Sequence, residues 1–306
     1  MQAVVRTRRT VLAEVARRAP HKRRRVCPCC GGAIEPLWTV RSYRYYRCLG
    51  CASLMIDPDV QREIAAGNAL PRRYDASYFE DEAGAARERA YGGALARVAE
   101  AVLCARIPIR RFLDVGTGHG YLLDALSMHL PRHAERFYGV ELNPPAGHST
   151  HPNYTIGTVG SMTGTFEAGS CIEVIEHLVP SQLAAMLGEL AARSSPGALY
   201  IVNSGQPGYV LERDRDYLDP DRRGHVFCYS LPAVARLAEP CGFRTIPLRG
   251  KPWAFLLEYG GSDPAAPHDR IWTALPENVD LLKDPERGSV LHVLGLETAR
   301  AYREGE

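Results

Sequence analysis

From residue 111 onward, short apolar runs and amphipathic stretches alternate along the chain, divided by glycine and proline. Residues 112–115 read as a strand, 121–129 as a helix, 137–141 as a strand and 154–159 as a weaker strand. A short strand at 171–174 precedes a helix over 180–193, then a strand at 199–203 entered through the turn Ser195-Pro196-Gly197. A helix over 231–239 and strands at 243–248 and 254–259 close the series. This alternation predicts an α/β fold, with a mainly parallel sheet covered by helices on both faces. Upstream, 85–107 is helical in character with a break at Gly92-Gly93, and Leu95, Val98, Ala99, Val102 and Ala105 share one side. Residues 37–46 are strand-rich and flanked by two cysteine turns; 58–71 reads as a connector. The stretch 260–306 is polar and proline-interrupted, with one helix expected near 290–303.

The 306 residues suffice for one large core and a small accessory module. This divides the chain into a basic arm (1–26), a cysteine module with its connector (27–70), an α/β domain (71–260) and a C-terminal extension (261–306). No run of 18 apolar residues occurs, so no membrane-spanning helix and no membrane partner is expected. With no signal-peptide pattern at the N-terminus, the expected location is cytoplasmic. Charge is unevenly spread: residues 1–25 hold nine Lys or Arg against one Glu, while the rest carries 28 basic and 34 acidic residues. Such an arm either touches phosphates or is a solvated tail beside a helix around 11–18.

Phe112-Leu113-Asp114-Val115-Gly116-Thr117-Gly118-His119-Gly120 runs an apolar strand into a glycine turn and a helix. Glycine there lets a ligand approach the backbone, and the helix start offers free N–H groups. Glu141, at the end of the next strand, lies 21 residues after Gly120. A carboxylate at that place can accept both ribose hydroxyls of a nucleoside. Asp114, just before the glycines, stands where a dinucleotide fingerprint usually stays apolar. FLDVGTGHGYLL followed by FYGVELNP resembles the class I methyltransferases over about residues 85–260. The resemblance implies a Rossmann-like sheet and S-adenosylmethionine as cofactor. It puts Gly116 and Gly118 against the amino-acid part of the cofactor, with Asp114 helping to hold it and Glu141 on the ribose. Thr117 and Leu142, within the same two motifs, complete the expected cofactor set. An adenine contact is expected near Thr158 or Val159.

Cys27-Pro28-Cys29-Cys30 and Cys48-Leu49-Gly50-Cys51 give two C-x2-C knuckles 17 residues apart. Cys27, Cys30, Cys48 and Cys51 would form a closed thiolate cage for a structural Zn²⁺, with Cys29 a bystander. The metal would supply folding energy to a module with little core of its own. The front end, from CPCC through YRCLGC to RRYDASYFEDEAG, resembles zinc-ribbon methyltransferases of sugar and natural-product pathways. That resemblance implies that Tyr78 and Phe79 pack over the cofactor; an ordinary core role is the alternative.

Cys171-Ile172-Glu173-Val174-Ile175-Glu176-His177-Leu178 places three ionisable residues at the carboxyl end of an expected strand. Open α/β sheets bind their ligands there. Unpaired burial of such groups is costly, so they either coordinate a cation or bond to substrate and one another. EVIEHL resembles the small-RNA 3′-terminal 2′-O-methyltransferases and the ubiquinone-pathway O-methyltransferases. The former imply that Glu173, Glu176 and His177 join a later histidine, here His225, around a divalent cation. Carboxylate oxygens suit Mg²⁺ or Mn²⁺. Without a metal, His177 or His225 is the candidate general base, with Glu173 beside them in the catalytic set.

The favoured expectation is O-methylation of a hydroxyl on a sugar, nucleoside or other small metabolite. RNA 2′-O-methylation is an alternative supported by the basic arm and EVIEHL, against an acidic body without an RNA-binding module. C-methylation of a nucleotide-linked keto-sugar is another, with His225 as its base. A zinc-ribbon interaction protein is the non-enzyme alternative, opposed by the intact set Asp114, Gly116, Gly118 and Glu141. The linker 206–222, rich in Asp and Arg, is expected to form a substrate lid.

Overall fold

The computed structural model describes residues 25–68, 72 and 74–304. The basic arm up to residue 24, with the helix expected around 11–18, lies outside the described residues. The strands, in chain order, are β1 (Ile34–Val40), β2 (Tyr43–Cys48), β3 (Leu54–Ile56), β4 (Phe112–Val115), β5 (Phe137–Glu141) and β6 (Tyr154–Ile156). They continue with β7 (Phe166–Ile172), β8 (Ser194–Asn203), β9 (Phe227–Cys228), β10 (Phe243–Pro247) and β11 (Ala254–Tyr259). The chain divides into two compact units. One comprises Met1–Arg73, Ile175–Ala185 and Ser204–Leu237; the other comprises Tyr74–Val174, Met186–Asn203 and Ala238–Glu306.

The larger unit carries a seven-stranded sheet in the order β10-β11-β8-β7-β4-β5-β6. Strands β4 to β8 are parallel, and β11 enters antiparallel between β8 and β10. This is the mainly parallel α/β arrangement expected from the alternation, in the Rossmann-like form that the resemblance implied. Because β4 lies between β5 and β7, the chain leaves it in opposite directions on its two sides. Ligands in open α/β sheets bind at such a switch point, beyond the carboxyl ends of the strands. The core under the sheet includes Val98, Val102, Leu123, Leu126, Phe137 and Leu256, all nearly inaccessible. Helices Ala76–Ala90 and Gly93–Cys104 break at Gly92, as expected from the glycine pair. The first begins earlier than the apolar pattern suggested, because the Asp75 carboxylate caps it by accepting from Tyr78 N.

Three expectations are corrected here. The turn expected at 195–197 falls within β8, which runs Ser194–Asn203. The strand expected at 171–174 is β7, which runs Phe166–Ile172 and ends before Glu173. Its interior Gly169 and Ser170 have low strand preference by themselves, but the sheet dictates both. A Cβ at Gly169 would collide with Leu113 O and the Tyr200 ring, and Ser170 Oγ donates to Asp114 Oδ1 at 2.7 Å. The polar tail, in turn, is built into the core. It forms helices Pro267–Trp272, Pro276–Leu281 and Val290–Glu304, and Ile271, Leu281, Leu282 and Leu291 join the apolar cluster. Arg270 is fully buried; its Nη1 donates to Glu258 Oε1 at 2.6 Å, and Arg244 also pairs with Glu258. A buried guanidinium is tolerated because it is paired and hydrogen-bonded.

The smaller unit carries a four-stranded antiparallel sheet, β1-β2-β3-β9. Its fourth strand comes from far along the chain, so the cysteine segment shares a sheet with residues near His225. The expected connector contains a helix, Pro58–Ala65, capped by Asp57, whose carboxylate accepts from Asp59 N at 2.9 Å. Among the described residues, no helix is long and apolar enough to cross a membrane.

Glu173 leaves β7 with φ +56°, in the left-handed region that costs a residue with a Cβ. Asn203 holds it there: Glu173 N donates to Asn203 O at 2.9 Å, and Asn203 Nδ2 donates to Glu173 Oε1 at 2.8 Å. Glu173→Gly and Glu173→Ala lose the same side-chain bond, so their difference isolates the backbone. In urea unfolding the glycine variant is expected to be more stable than the alanine variant by about 1 kcal/mol. Equal stabilities would contradict a strained backbone.

Candidate functional site

The carboxyl end of β4 opens into the glycine loop. Gly116, Gly118 and Gly120 have φ of +72°, +56° and +80°, and side chains rarely tolerate this geometry. Gly116 and Thr117 donate to Val140 O at 2.9 and 3.1 Å, binding the loop to the end of β5. A Cβ on Gly116 would strike Val174, and one on Gly120 would strike Ser149. A Cβ on Gly118 would meet nothing within 4 Å, so its backbone faces open space. Helix Tyr121–His129 follows at once, with Gly120 as its cap residue.

Glu141, the last residue of β5, reaches back to this loop. Its Oε2 accepts from Gly118 N at 2.9 Å and its Oε1 from Asn143 N at 2.8 Å. Each carboxylate oxygen keeps a second lone pair for a ligand hydroxyl. Leu142 beside it is 61% exposed. Asp114 is buried in β4, and burial pushes its carboxyl up to about 6. Hydrogen bonds from Ser170 and Thr117 pull it back, and nearby Glu141 pushes it further up. Sequence reasoning missed Tyr154, whose hydroxyl donates to Gly118 O at 2.6 Å and pins the loop from β6. No motif marks it, since its role comes from the β5–β6 pairing. Of the expected adenine neighbours, Thr158 precedes the short 3₁₀ turn Val159–Ser161 and Val159 begins it.

Tyr78 and Phe79 are half-buried on helix Ala76–Ala90. The Phe79 ring meets His119 of the glycine loop edge-on at 5.6 Å, and His119 stacks on Tyr121 at 4.7 Å. This aromatic column forms one wall of the loop. Burial lowers the His119 pKa, opposed by the Glu141 charge.

In the smaller unit the four cysteine sulfurs converge. The Sγ atoms of Cys27, Cys30, Cys48 and Cys51 all lie within 4.8 Å of one another. Cys27 and Cys51 are 3.7 Å apart, and Cys30 and Cys48 3.4 Å. Tetrahedral Zn–S bonds of about 2.3 Å put sulfurs at about that spacing. Backbone N–H groups of Gly32, Gly50 and Cys51 point at the Cys30 and Cys48 sulfurs, as in a metal knuckle. The Cys51 thiol is lowered to about 4, chiefly by its bond with Cys27, while Cys27 is raised by its bonds to Cys29 and Cys51. Cys29 is not one of the four.

The same unit gathers Glu176, His177 and His225, with a ligand atom of each within 4.8 Å of the others. Glu176 is fully buried and His225 nearly so. Tyr217 OH donates to Glu176 Oε1 at 3.0 Å and accepts from Gly205 N at 2.8 Å. His225 Nε2 stands 3.9 Å from Glu176 Oε1, with its ring 4.7 Å from that of His177 and 4.5 Å from that of Tyr217. Val226 N donates to Glu176 O at 2.9 Å, fixing the two segments to each other. Glu173 belongs to the other unit and bonds to Asn203. Nothing in the spacing of EVIEHL separates Glu173 from Glu176, and nothing in the linker marks Tyr217. That linker forms a helix, Pro207–Glu212, and a 3₁₀ turn, Arg215–Leu218.

Comparison with curated proteins returns no match. Among solved structures, an O-methyltransferase of neocarzinostatin biosynthesis bound to S-adenosylmethionine and a hydroxynaphthoic acid is 20% identical, with TM-score 0.38. That match covers 49% of this chain and 48% of the other, so the chain spans about half its length. CalS10, an amino pentose methyltransferase from Micromonospora echinaspora, is 15% identical at TM-score 0.43, covering 58% and 95% of the two chains. DesVI from Streptomyces venezuelae is 17% identical at TM-score 0.44, covering 61% and 99%. At this distance these likenesses carry nothing about substrate. The model of a family described as methyltransferase domain matches residues 81–248. Since that segment is more than half of the chain, the protein belongs to the methyltransferase domain family.

Proposed function

We propose that the enzyme transfers the methyl group to a hydroxyl of a small metabolite, such as a sugar or nucleoside. The convergence of buried Glu176 with His177 and His225 carries this reading. A hydroxyl is a poor nucleophile until its proton has somewhere to go. His225 Nε2 accepts that proton, and the Glu176 carboxylate 3.9 Å away stabilises the resulting imidazolium. S-adenosylmethionine supplies an electrophilic methyl on a sulfonium. The hydroxyl oxygen bonds to the methyl carbon, and the carbon–sulfur bond breaks, leaving its electron pair on sulfur as a neutral thioether. The protein has little covalent work beyond orienting the two partners.

On the donor side, Glu141 would take the ribose hydroxyls, with Gly116, Thr117, Gly118 and Leu142 shaping the cleft and Asp114 holding the cationic amino-acid end. In Glu141→Ala, loss of charge-assisted bonds is expected to weaken S-adenosylmethionine binding by roughly 3 kcal/mol, about a hundredfold. Unchanged affinity by calorimetry would contradict the assignment. Asp114 gives the binding a pH dependence. Its raised pKa of about 6 means that it gains its charge only as pH rises through 6. Affinity for the cationic donor is therefore expected to fall as pH drops below about 6 and to level off above it. Asp114→Asn should bind weakly with no such step; a step that survives in Asp114→Asn would assign it to another group.

Four thiolates fit Zn²⁺, held by Cys27, Cys30, Cys48 and Cys51, and a closed set of protein ligands gives the ion a structural part only. One zinc per chain is expected by emission spectroscopy, lost in Cys48→Ser; zinc-free folded protein would reject it. The Glu176, His177 and His225 grouping also supports a second reading, in which these residues hold a divalent cation, Mg²⁺ or Mn²⁺, that lowers the hydroxyl pKa. Electron paramagnetic titration with Mn²⁺ separates the two. A bound ion lost in His225→Ala favours the cation, and no bound ion leaves His225 as base.

A further inference from the structure

The cysteine cage and the Glu176–His225 grouping lie in one unit, and a continuous set of hydrogen bonds joins them. Cys48 ends β2 and Cys51 sits in the turn before β3. Cys48 N donates to Ser53 O at 2.9 Å and Ala52 N to Cys48 O at 3.0 Å, so fixing the sulfurs fixes this turn. Strand β3, fully buried, then pairs on one side with β2 and on the other with β9, Leu54 against Cys228 and Met55 against Phe227. Strand β9 begins two residues after His225. The Val226 peptide is gripped on both sides: its carbonyl accepts from Ile56 N and its N–H donates to Glu176 O, each at 2.9 Å. Beyond β9, Ser230 N donates to Ser53 Oγ at 3.1 Å, and Cys51 Sγ lies 3.4 Å from the same oxygen. On β2, the fully buried Tyr45 donates its hydroxyl to His225 O at 2.8 Å. Burial holds the Tyr45 phenol well above its ordinary range, so it stays a donor.

We propose that Tyr45 is a positioning residue for His225, and that the cysteine ribbon, through β3 and β9, sets the geometry of the Glu176–His225 grouping. This rests on the proton-accepting role given to His225 above. In physical terms, a two-residue strand has too few bonds to hold a buried histidine by itself. The ribbon supplies the missing sheet partner, and the tyrosine satisfies the one backbone carbonyl at the histidine itself.

The test uses the full chain with its zinc, labelled with ¹³C-histidine, and compares Tyr45→Phe with the parent. The ring signal that is absent from the His225→Gln spectrum identifies the His225 resonance. In Tyr45→Phe the His225 ring signal is expected to shift or broaden, and the Val226 amide to exchange roughly fivefold faster. Zinc content and S-adenosylmethionine affinity, both read independently, should stay within twofold of the parent. An unmoved His225 signal with unchanged Val226 exchange would overturn the proposal. Should Tyr45→Phe lose its zinc, Ser53→Ala, which cuts the link at its other end, is read in the same way: a moved His225 signal supports the proposal and an unmoved one overturns it. None of these readouts needs turnover, so an inactive base at His225 and a failed positioning role remain distinguishable.

Discussion

The glycine loop depends on a carboxylate. Glu141 accepts from Gly118 N with one oxygen and from Asn143 N with the other, and so ties the ends of β4 and β5 into one rigid edge. Tyr154 pins the Gly118 carbonyl from the far side. The three positive-φ glycines keep side chains out of the space this edge encloses. Preorganisation of this kind matters because a cofactor that finds its donors already aligned loses less free energy to ordering them. Everything proposed for donor binding follows from that edge, including the place of buried Asp114 next to it on β4.

The sheet was legible wherever apolar period and glycine punctuation agreed. Strands β4, β5 and β11 and helix Tyr121–His129 have the bounds that the sequence pattern predicts. Strand β7 was not, because Gly169 and Ser170 answer to partners in neighbouring strands rather than to a local pattern. The C-terminal helices were hidden for a similar reason. Arg270 reads as a surface residue until Glu258 is seen opposite it, and only tertiary structure shows that pairing. Spacing alone brought out the four-cysteine set, since two C-x2-C knuckles are a local geometric signal.

The catalytic candidates were legible as residue types but not as an arrangement. Glu173, Glu176 and His177 stand within five positions, and only the backbone separates them: Glu173 turns into the left-handed region at the end of β7, and Glu176 bonds to Tyr217. Tyr217 and Tyr45 carry no motif, because one acts from a loop and the other from a ribbon strand. The ribbon itself changes meaning once β9 is seen. A segment that reads as an accessory module shares its sheet with the neighbourhood of His225, so the proposed zinc site and the proposed proton acceptor lie in one compact unit.

The donor assignment is the claim on which the others rest, and equilibrium binding of the reaction product tests it most directly. Calorimetric titration of the purified chain with S-adenosylhomocysteine, beside a matched titration with NAD, should give one saturable site for the former and none for the latter. Saturable binding of NAD without binding of S-adenosylhomocysteine would contradict the account, because it would return the glycine loop and Glu141 to a dinucleotide fold.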